Sequence, residues 1–211
     1  MSQNTSSAVM AQRVEAPDSL DDFPTPPWAT RALCEQLIQL RLLTRADTCR
    51  EPAANRGLMV RALREHFVHV DGSDVHDYGA GFPVRDFLSS EPKSAVAWTI
   101  TNPPFRLAEA FVLEALRTSR RGVAVIVRTA FLEGQGRHKR LFSKHPPTYV
   151  MQFTERVVMH QGRLSAKGST ATAYAWLVWN KSAWLPGTKF CWIPPCRKRL
   201  ERPSDYEEGA A

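Results

Sequence analysis

Apolar positions along this chain recur in two rhythms, one helical and one continuous. In FPTPPWATRALCEQLIQL, Leu33, Leu37 and Leu40 follow at helical spacing. Thr25 is placed to cap that helix, and prolines are tolerated in a first helical turn. ADTCREPAANRG reads as a short strand running into a turn. RGLMVRALREHF reads as a helix with Leu58, Ala62 and Phe67 inward, and FVHVDGSD as a second strand. VHDYGAGFPVRDFLSSEP is glycine-bearing and loop-like. SAVAWTI and GVAVIVRTAFL are unbroken apolar runs, the pattern of strands covered on both faces. Between them LAEAFVLEALRTS is an amphipathic helix. EGQGRHKRLFSKHPP is basic and partly helical, and TYVMQFTERVVM and TATAYAWLVWN close the pattern as two further strands.

Strands alternating with helices predict an α/β domain built on a mostly parallel sheet. Ligands of such sheets bind beyond the carboxyl ends of the strands. Four turns there carry polar groups, at Glu51, Asp74, Asp86 and Asn102, so the topology predicts that they gather on one rim. Small residues in EPAANRG allow close approach to the backbone, and Glu51 can face an ammonium group. Asp74 can accept two hydrogen bonds from a ribose diol. Asp86 can accept one from an exocyclic adenine amine, with Phe87 packed on the ring.

Composition narrows the picture modestly. A chain of 211 residues suits one domain, and 43% hydrophobic with 23% charged residues is the balance of a globular protein. No apolar run has bilayer length. The polar start, MSQNTSSAVMAQRVEAPDS, lacks the features of a secretion leader. The expected layout is a disordered segment over 1–20, one domain over 21–196, and a charged tail over 197–211, in the cytoplasm. The four cysteines, Cys34, Cys49, Cys191 and Cys196, are irregularly spaced and read as reduced thiols. CWIPPC has no second cysteine pair to complete a zinc site, so no metal is expected. A formal net charge of +7 favours a polyanionic partner.

The most specific stretch is TNPPF, directly after an apolar strand. An aromatic or amide amine is a poor nucleophile because its lone pair is delocalised. The Asn102 side-chain oxygen and the Pro103 carbonyl could each accept one N–H. Two acceptors off the ring plane favour a tetrahedral nitrogen and aim its lone pair at a methyl donor. Pro103 and Pro104 stiffen the loop, so the acceptors are preorganised, and Phe105 could stack on a planar substrate.

At these residues the chain resembles the S-adenosylmethionine-dependent DNA methyltransferases that act on the N6 amine of adenine, of the type found in phages and mobile elements. The resemblance spans about residues 22–180. It is carried by PTPPW, EPAANRG, SDVHDYG, RDFL, TNPPF and STATAYAWLVW. It implies a Rossmann-like class I methyltransferase fold, a mostly parallel seven-stranded sheet with one antiparallel strand and helices on both faces. It implies that Pro26, Trp28, Glu51, Pro52, Ala53, Asn55, Gly57, Asp74, Asp86 and Phe87 bind the cofactor, and that Asn102, Pro103, Pro104 and Phe105 hold the target base. The family often has glycine where this chain has Asn55. Asparagine is the next most tolerant residue of a left-handed backbone, so cofactor binding is expected to survive the change.

There is no room for a large recognition domain between EPAANRG and NPPF. DNA contact is therefore expected from short basic loops, through Arg137, Lys139, Arg140 and Lys144, and through Arg163 and Lys167. The same chemistry serves an amine in RNA or a glutamine amide, and a non-catalytic binding module on this fold is the reading from another class. The oligomeric state is not legible.

Overall fold

A computed structural model describes residues 21–166, 168–182 and 187–206. The expected disordered segment over 1–20 and the site residue Lys167 lie outside the described residues. The elements in chain order are α1 (Pro27–Gln39), β1 (Thr48–Glu51), α2 (Leu58–Leu63), β2 (His69–Gly72), β3 (Val96–Thr101), α3 (Ala108–Thr118) and β4 (Ser119–Arg128). They continue with the short α4 (Gln135–Arg137), β5 (Tyr149–Phe153), β6 (Tyr174–Asn180), β7 (Lys189–Ile193) and α5 (Arg197–Leu200). The seven strands form one sheet in the order β2-β1-β3-β4-β6-β5-β7. β6 runs antiparallel to both its neighbours and every other pair is parallel. This is the class I methyltransferase architecture that the sequence predicts.

Both faces of the sheet are covered, which is why β3 is buried at all six positions. One core layer packs α1 and α2 on the sheet through Trp28, Leu33, Leu37, Val60 and Leu63. The other packs α3 and the turn carrying Leu141, through Phe111, Val112 and Ala115. A closely fitted pair shows the density of the first layer: a Cβ on Gly122 would stand 2.4 Å from the Trp98 ring. Among the described residues, no helix is long and apolar enough to cross a membrane.

Three local expectations are corrected. Thr25 does not cap α1; Pro26 is the N-cap and Pro27 the first helical residue, and the Thr25 hydroxyl is buried without a partner. The two fixed φ angles shift the helix start past the threonine. Leu40 ends α1 as its C-cap and is exposed, outside the apolar stripe. The seventh strand, β7, comes from KFCWI, where sequence reading saw only a cysteine pair.

The charged tail from Arg197 reads from the sequence as loose, and this is the fourth correction: through Tyr206 it folds back on α1. Arg31 of α1 is buried and donates to the Leu200 carbonyl at 2.7 Å and to both Asp205 carboxylate oxygens at 2.8 Å. Glu65 takes the remaining side of the guanidinium, at 2.9 Å from Nη2, and Arg202 closes on Glu65 from outside. This pairing offsets the cost of burying the guanidinium.

Candidate active site

The carboxyl ends of β1, β2 and β3 open on a cleft of about 250 Å³. All four polar turns reach it. Pro52, Ala53 and Asn55 come from the first, Asp74 and Tyr78 from the second, Asp86 and Phe87 from the third, and Asn102 and Pro104 from the fourth. Asp21 lines it as well, from a strap that crosses the rim before α1.

The strap ties two turns together. Asn102 Nδ2 donates to the Phe23 carbonyl at 2.8 Å, and the Phe105 amide donates to Asp21 Oδ2 at 2.7 Å. Asp22 accepts from Asn55 Nδ2 at 2.7 Å and pairs with Arg56. A carbonyl can only accept, so the Phe23 contact fixes which end of the Asn102 amide is nitrogen. Its oxygen, Oδ1, is then buried with no hydrogen-bond partner. No described residue donates to the Pro103 carbonyl, whereas the Pro104 carbonyl accepts from Leu107 at 2.9 Å.

The first turn is shaped by Asn55, whose φ of 50° is left-handed. Its side chain supports that backbone: Oδ1 accepts from the Arg56 amide at 2.7 Å. Its own amide donates to Asp74 Oδ2 at 2.9 Å, which locks the first turn to the second. Asparagine therefore does here what glycine would do by default. Glu51 is fully buried below this turn. One carboxylate oxygen accepts from the Ala53 amide at 2.9 Å, and the other, Oε2, has no partner. Burial pushes the Glu51 carboxyl up to about 8; the nearby Thr101 hydroxyl and the Ala53 amide oppose the rise, and the charge of Asp74 adds to it. The Thr101 hydroxyl is itself buried without a hydrogen bond.

Other assigned residues fall differently. Asp74 is buried, and its second oxygen accepts from the His76 amide at 3.1 Å. Asp86 is exposed and accepts from the Leu88 amide at 2.8 Å. Phe87 is buried, packed against Phe111. Pro26 and Trp28 do not reach the cleft; Trp28 is 1% exposed and meets Phe153 edge-on within the core. Gly57 is left-handed, with φ 81°, but faces the other way: Phe82 fills its space, 2.8 Å from where a Cβ would stand.

Phe105 is engaged rather than open. It tilts on Phe23, and the Arg128 guanidinium lies 3.9 Å from its ring centroid. Arg128 Nε is buried without a hydrogen-bond partner. Sequence reading missed Asp21, Asp22, Phe23 and Arg128 in this site. The acidic pair beside PTPPW was the only available signal for the strap.

The basic segment after β4 divides in two. Arg137 donates to the Phe131 and Glu133 carbonyls and covers the Phe131 ring, and Arg140 pairs with Glu109 at 2.7 Å. Both are spent on holding the segment. Lys139 and Lys144 are exposed with no ion pair among the described residues, and Arg163 is exposed on a separate loop. No group of metal-ligating side chains occurs among the described residues.

This fold recurs among methyltransferases of known structure. A candidate class I S-adenosylmethionine-dependent methyltransferase from Listeria monocytogenes matches with a TM-score of 0.63 and 14% identity, over 92% of this chain and 71% of that one. The methyltransferase subunit of a type I restriction-modification system from Streptococcus thermophilus matches with a TM-score of 0.61 and 12% identity, over 81% of this chain and 47% of the subunit. This chain thus spans about half of that subunit. A candidate RNA methyltransferase from Pyrococcus horikoshii matches with a TM-score of 0.57 and 17% identity, over 83% and 97%. No protein-family model matches the chain, and no curated protein does. The fold is that of the class I methyltransferases.

Proposed function

We propose that this protein transfers a methyl group from S-adenosylmethionine to the exocyclic N6 of adenine in DNA. The observation that carries the reading is the Asn102 amide. Its nitrogen is held by Phe23, while its oxygen is a buried acceptor without a donor, at the edge of a cleft beyond β3. Burying an unsatisfied acceptor costs about 1–3 kcal/mol. An incoming amine recovers that cost.

The cleft fits the cofactor on the same grounds. Glu51 Oε2 lacks a partner beneath the first turn and suits an ammonium group. Pro52, Ala53 and the left-handed Asn55 leave the backbone open to the amino-acid arm. Asp74 keeps lone pairs for ribose hydroxyls, and Asp86 and Phe87 bracket an adenine. When bound, the cofactor supplies an activated methyl group. The protein's own work is to hold the target amine. Asn102 Oδ1 and the Pro103 carbonyl each accept one N–H, which favours a tetrahedral nitrogen whose lone pair is withdrawn from the ring and aimed at the methyl donor. The stiff Pro103–Pro104 backbone keeps both acceptors in place. An adenine reaching them from duplex DNA is flipped out of its stack at a cost of a few kcal/mol. Stacking on Phe105 requires Arg128 to yield its position over the ring. Lys139, Lys144 and Arg163 remain as phosphate contacts.

The test is expression in a bacterial host lacking its own DNA methylation, followed by mapping of modified bases. The expected result is N6-methyladenine with the wild type and none with Asn102→Ala. Transfer of label to RNA or to a protein amide, with DNA untouched, would move the reading to another amine. Calorimetry showing no S-adenosylmethionine binding would leave a non-catalytic module.

A further inference from the structure

The sheet ends at β7, and its outer edge has a composition unlike the rest of the surface. The register with β5 fixes how β7 is oriented. Lys189 donates to the Thr148 carbonyl at 2.9 Å, and Thr154 donates to the Ile193 carbonyl at 3.0 Å. In a parallel ladder alternate residues bond the same neighbour. Lys189, Cys191 and Ile193 therefore turn their backbone groups toward β5, and Phe190 and Trp192 turn theirs away. No described residue bonds those outward groups.

The side chains of the same two residues are also uncovered. Phe190 is 56% and Trp192 64% exposed, the two largest exposures among the aromatic residues described. They meet edge-on at 4.8 Å. Phe190 is in register with Val150, which belongs to the core layer on the α3 side, so both rings stand on that face of the sheet.

We infer that β7 is a self-pairing edge, and that its partner is a second copy of this chain. A two-fold axis through Cys191 sets β7 antiparallel to the partner's β7. Phe190 then lies opposite the partner's Trp192, and Trp192 opposite the partner's Phe190. Both are outward-facing residues, so both pairs exchange N–H···O bonds and four hydrogen bonds form. The four rings join on one face. Cys191 meets the partner's Cys191 on the other, and Lys189 meets the partner's Ile193, so no like charges are opposed across the strands. A second copy thus pairs the outward backbone groups of Phe190 and Trp192. Paired strand edges of this kind are a known mode of association. The exposed rings contribute roughly 200–300 Å² per protomer, below a standard interface even after backbone and flanks are added. The dimer is accordingly a dissociable one. It lies at the sheet edge remote from β2, and the antiparallel pairing sends the two carboxyl rims in opposite directions, so both clefts stay open whatever chemistry they perform.

Sedimentation velocity on the full chain over about 1–100 μM tests this. The mass is expected to rise from one chain to two across the series. Phe190→Glu and Trp192→Glu should each hold it at one chain, with the circular dichroism spectrum unchanged. An independent arm needs no altered fold. Copper-phenanthroline takes two electrons from a pair of thiols, releases two protons and leaves one S–S bond. Cys191 is the only described cysteine that is not buried. Oxidation of the wild type should therefore give a covalent dimer, lost in Cys191→Ser, which still sediments as a dimer without oxidant. A wild type that stays one chain at the highest concentration overturns the inference. So does a dimer indifferent to both glutamate variants, or the absence of a Cys191 cross-link. A monomer that loses retention on DNA when Trp192 is replaced would reassign the ring pair to nucleic acid.

Discussion

Two of the polar clusters buried among the described residues are built oppositely. Around Arg31, the carboxylates of Asp205 and Glu65 and the Leu200 carbonyl take up the guanidinium. The pairing stays inside the protein. Below the cleft, Glu51 and Asn102 each spend one side-chain atom on the protein and leave the other unpaired. The first arrangement is a clasp between α1 and the C-terminal segment. The second is suited to something that arrives from outside. Burial by itself does not separate them, nor does a missing partner. The Trp98 indole nitrogen is also unpaired, yet it is enclosed in the core. What distinguishes Asn102 is that it lines the cleft, and what distinguishes Glu51 is its bond to the Ala53 amide in the cleft wall.

The clasp should fail hardest when broken. Asp205→Ala leaves Arg31 buried with one of its two carboxylate partners gone, and is expected to cost about 3–5 kcal/mol in denaturant unfolding. It should leave S-adenosylmethionine affinity unchanged wherever the protein remains folded. Acid acts on the same contact. Burial works against the charged form, yet the Arg31 guanidinium holds the Asp205 carboxyl below the usual carboxylate range. A depressed carboxyl adds stability above its unfolded value and loses it as pH falls through the folded one. The acid unfolding midpoint should therefore move up in Asp205→Asn.

The open cluster should respond in binding rather than in folding. Glu51→Gln keeps the acceptor for the Ala53 amide and removes a carboxyl whose ionisation burial opposes, so stability is retained or raised. S-adenosylmethionine affinity is expected to fall by about 10- to 100-fold, the worth of one charge-assisted contact. The pH dependence sharpens the point. With the carboxyl pushed up to about 8 by burial, Glu51 is mostly protonated at pH 6–7. A cation prefers the carboxylate, so its binding releases a proton. Affinity by calorimetry should climb about tenfold per pH unit between pH 6 and 7.5, and Glu51→Gln should flatten that slope.

The smallest effects belong to the surface. Lys139→Ala and Lys144→Ala should each weaken DNA binding by about 2- to 5-fold at moderate salt and lower the salt slope by about one. Arg140→Ala should change it less, since that guanidinium already serves Glu109. A larger loss at Arg140 than at either lysine would show that the ion pair opens for DNA.

Much of the cleft was legible because its parts are local. Each turn follows its own strand, and the parallel sheet brings the strand ends together. The left-handed Asn55 was readable through the resemblance, in which glycine often stands at that position. The strap was not, because the contact from Phe23 to Asn102 spans 79 residues. The clasp was not either: Arg31 and Asp205 are 174 residues apart, and a run of alternating charges reads as solvated until a buried partner is known. Trp28 was misplaced because an aromatic next to a motif looks like a ligand contact, whereas here its ring fills the core. Phe105 kept its place in the loop, but the guanidinium over its ring comes from the end of the neighbouring strand, which no spacing rule reveals.

The central claim is that Asn102 Oδ1 is kept free to hold the reacting amine. Single-turnover methyl transfer to adenine-containing DNA, at saturating S-adenosylmethionine, reads that directly. For Asn102→Ala the rate should fall by about a thousandfold, the cost of losing one preorganised transition-state contact, with cofactor affinity within about threefold of wild type. A variant that still transfers within about tenfold of the wild-type rate, or that loses cofactor binding to the same extent as transfer, would contradict the account.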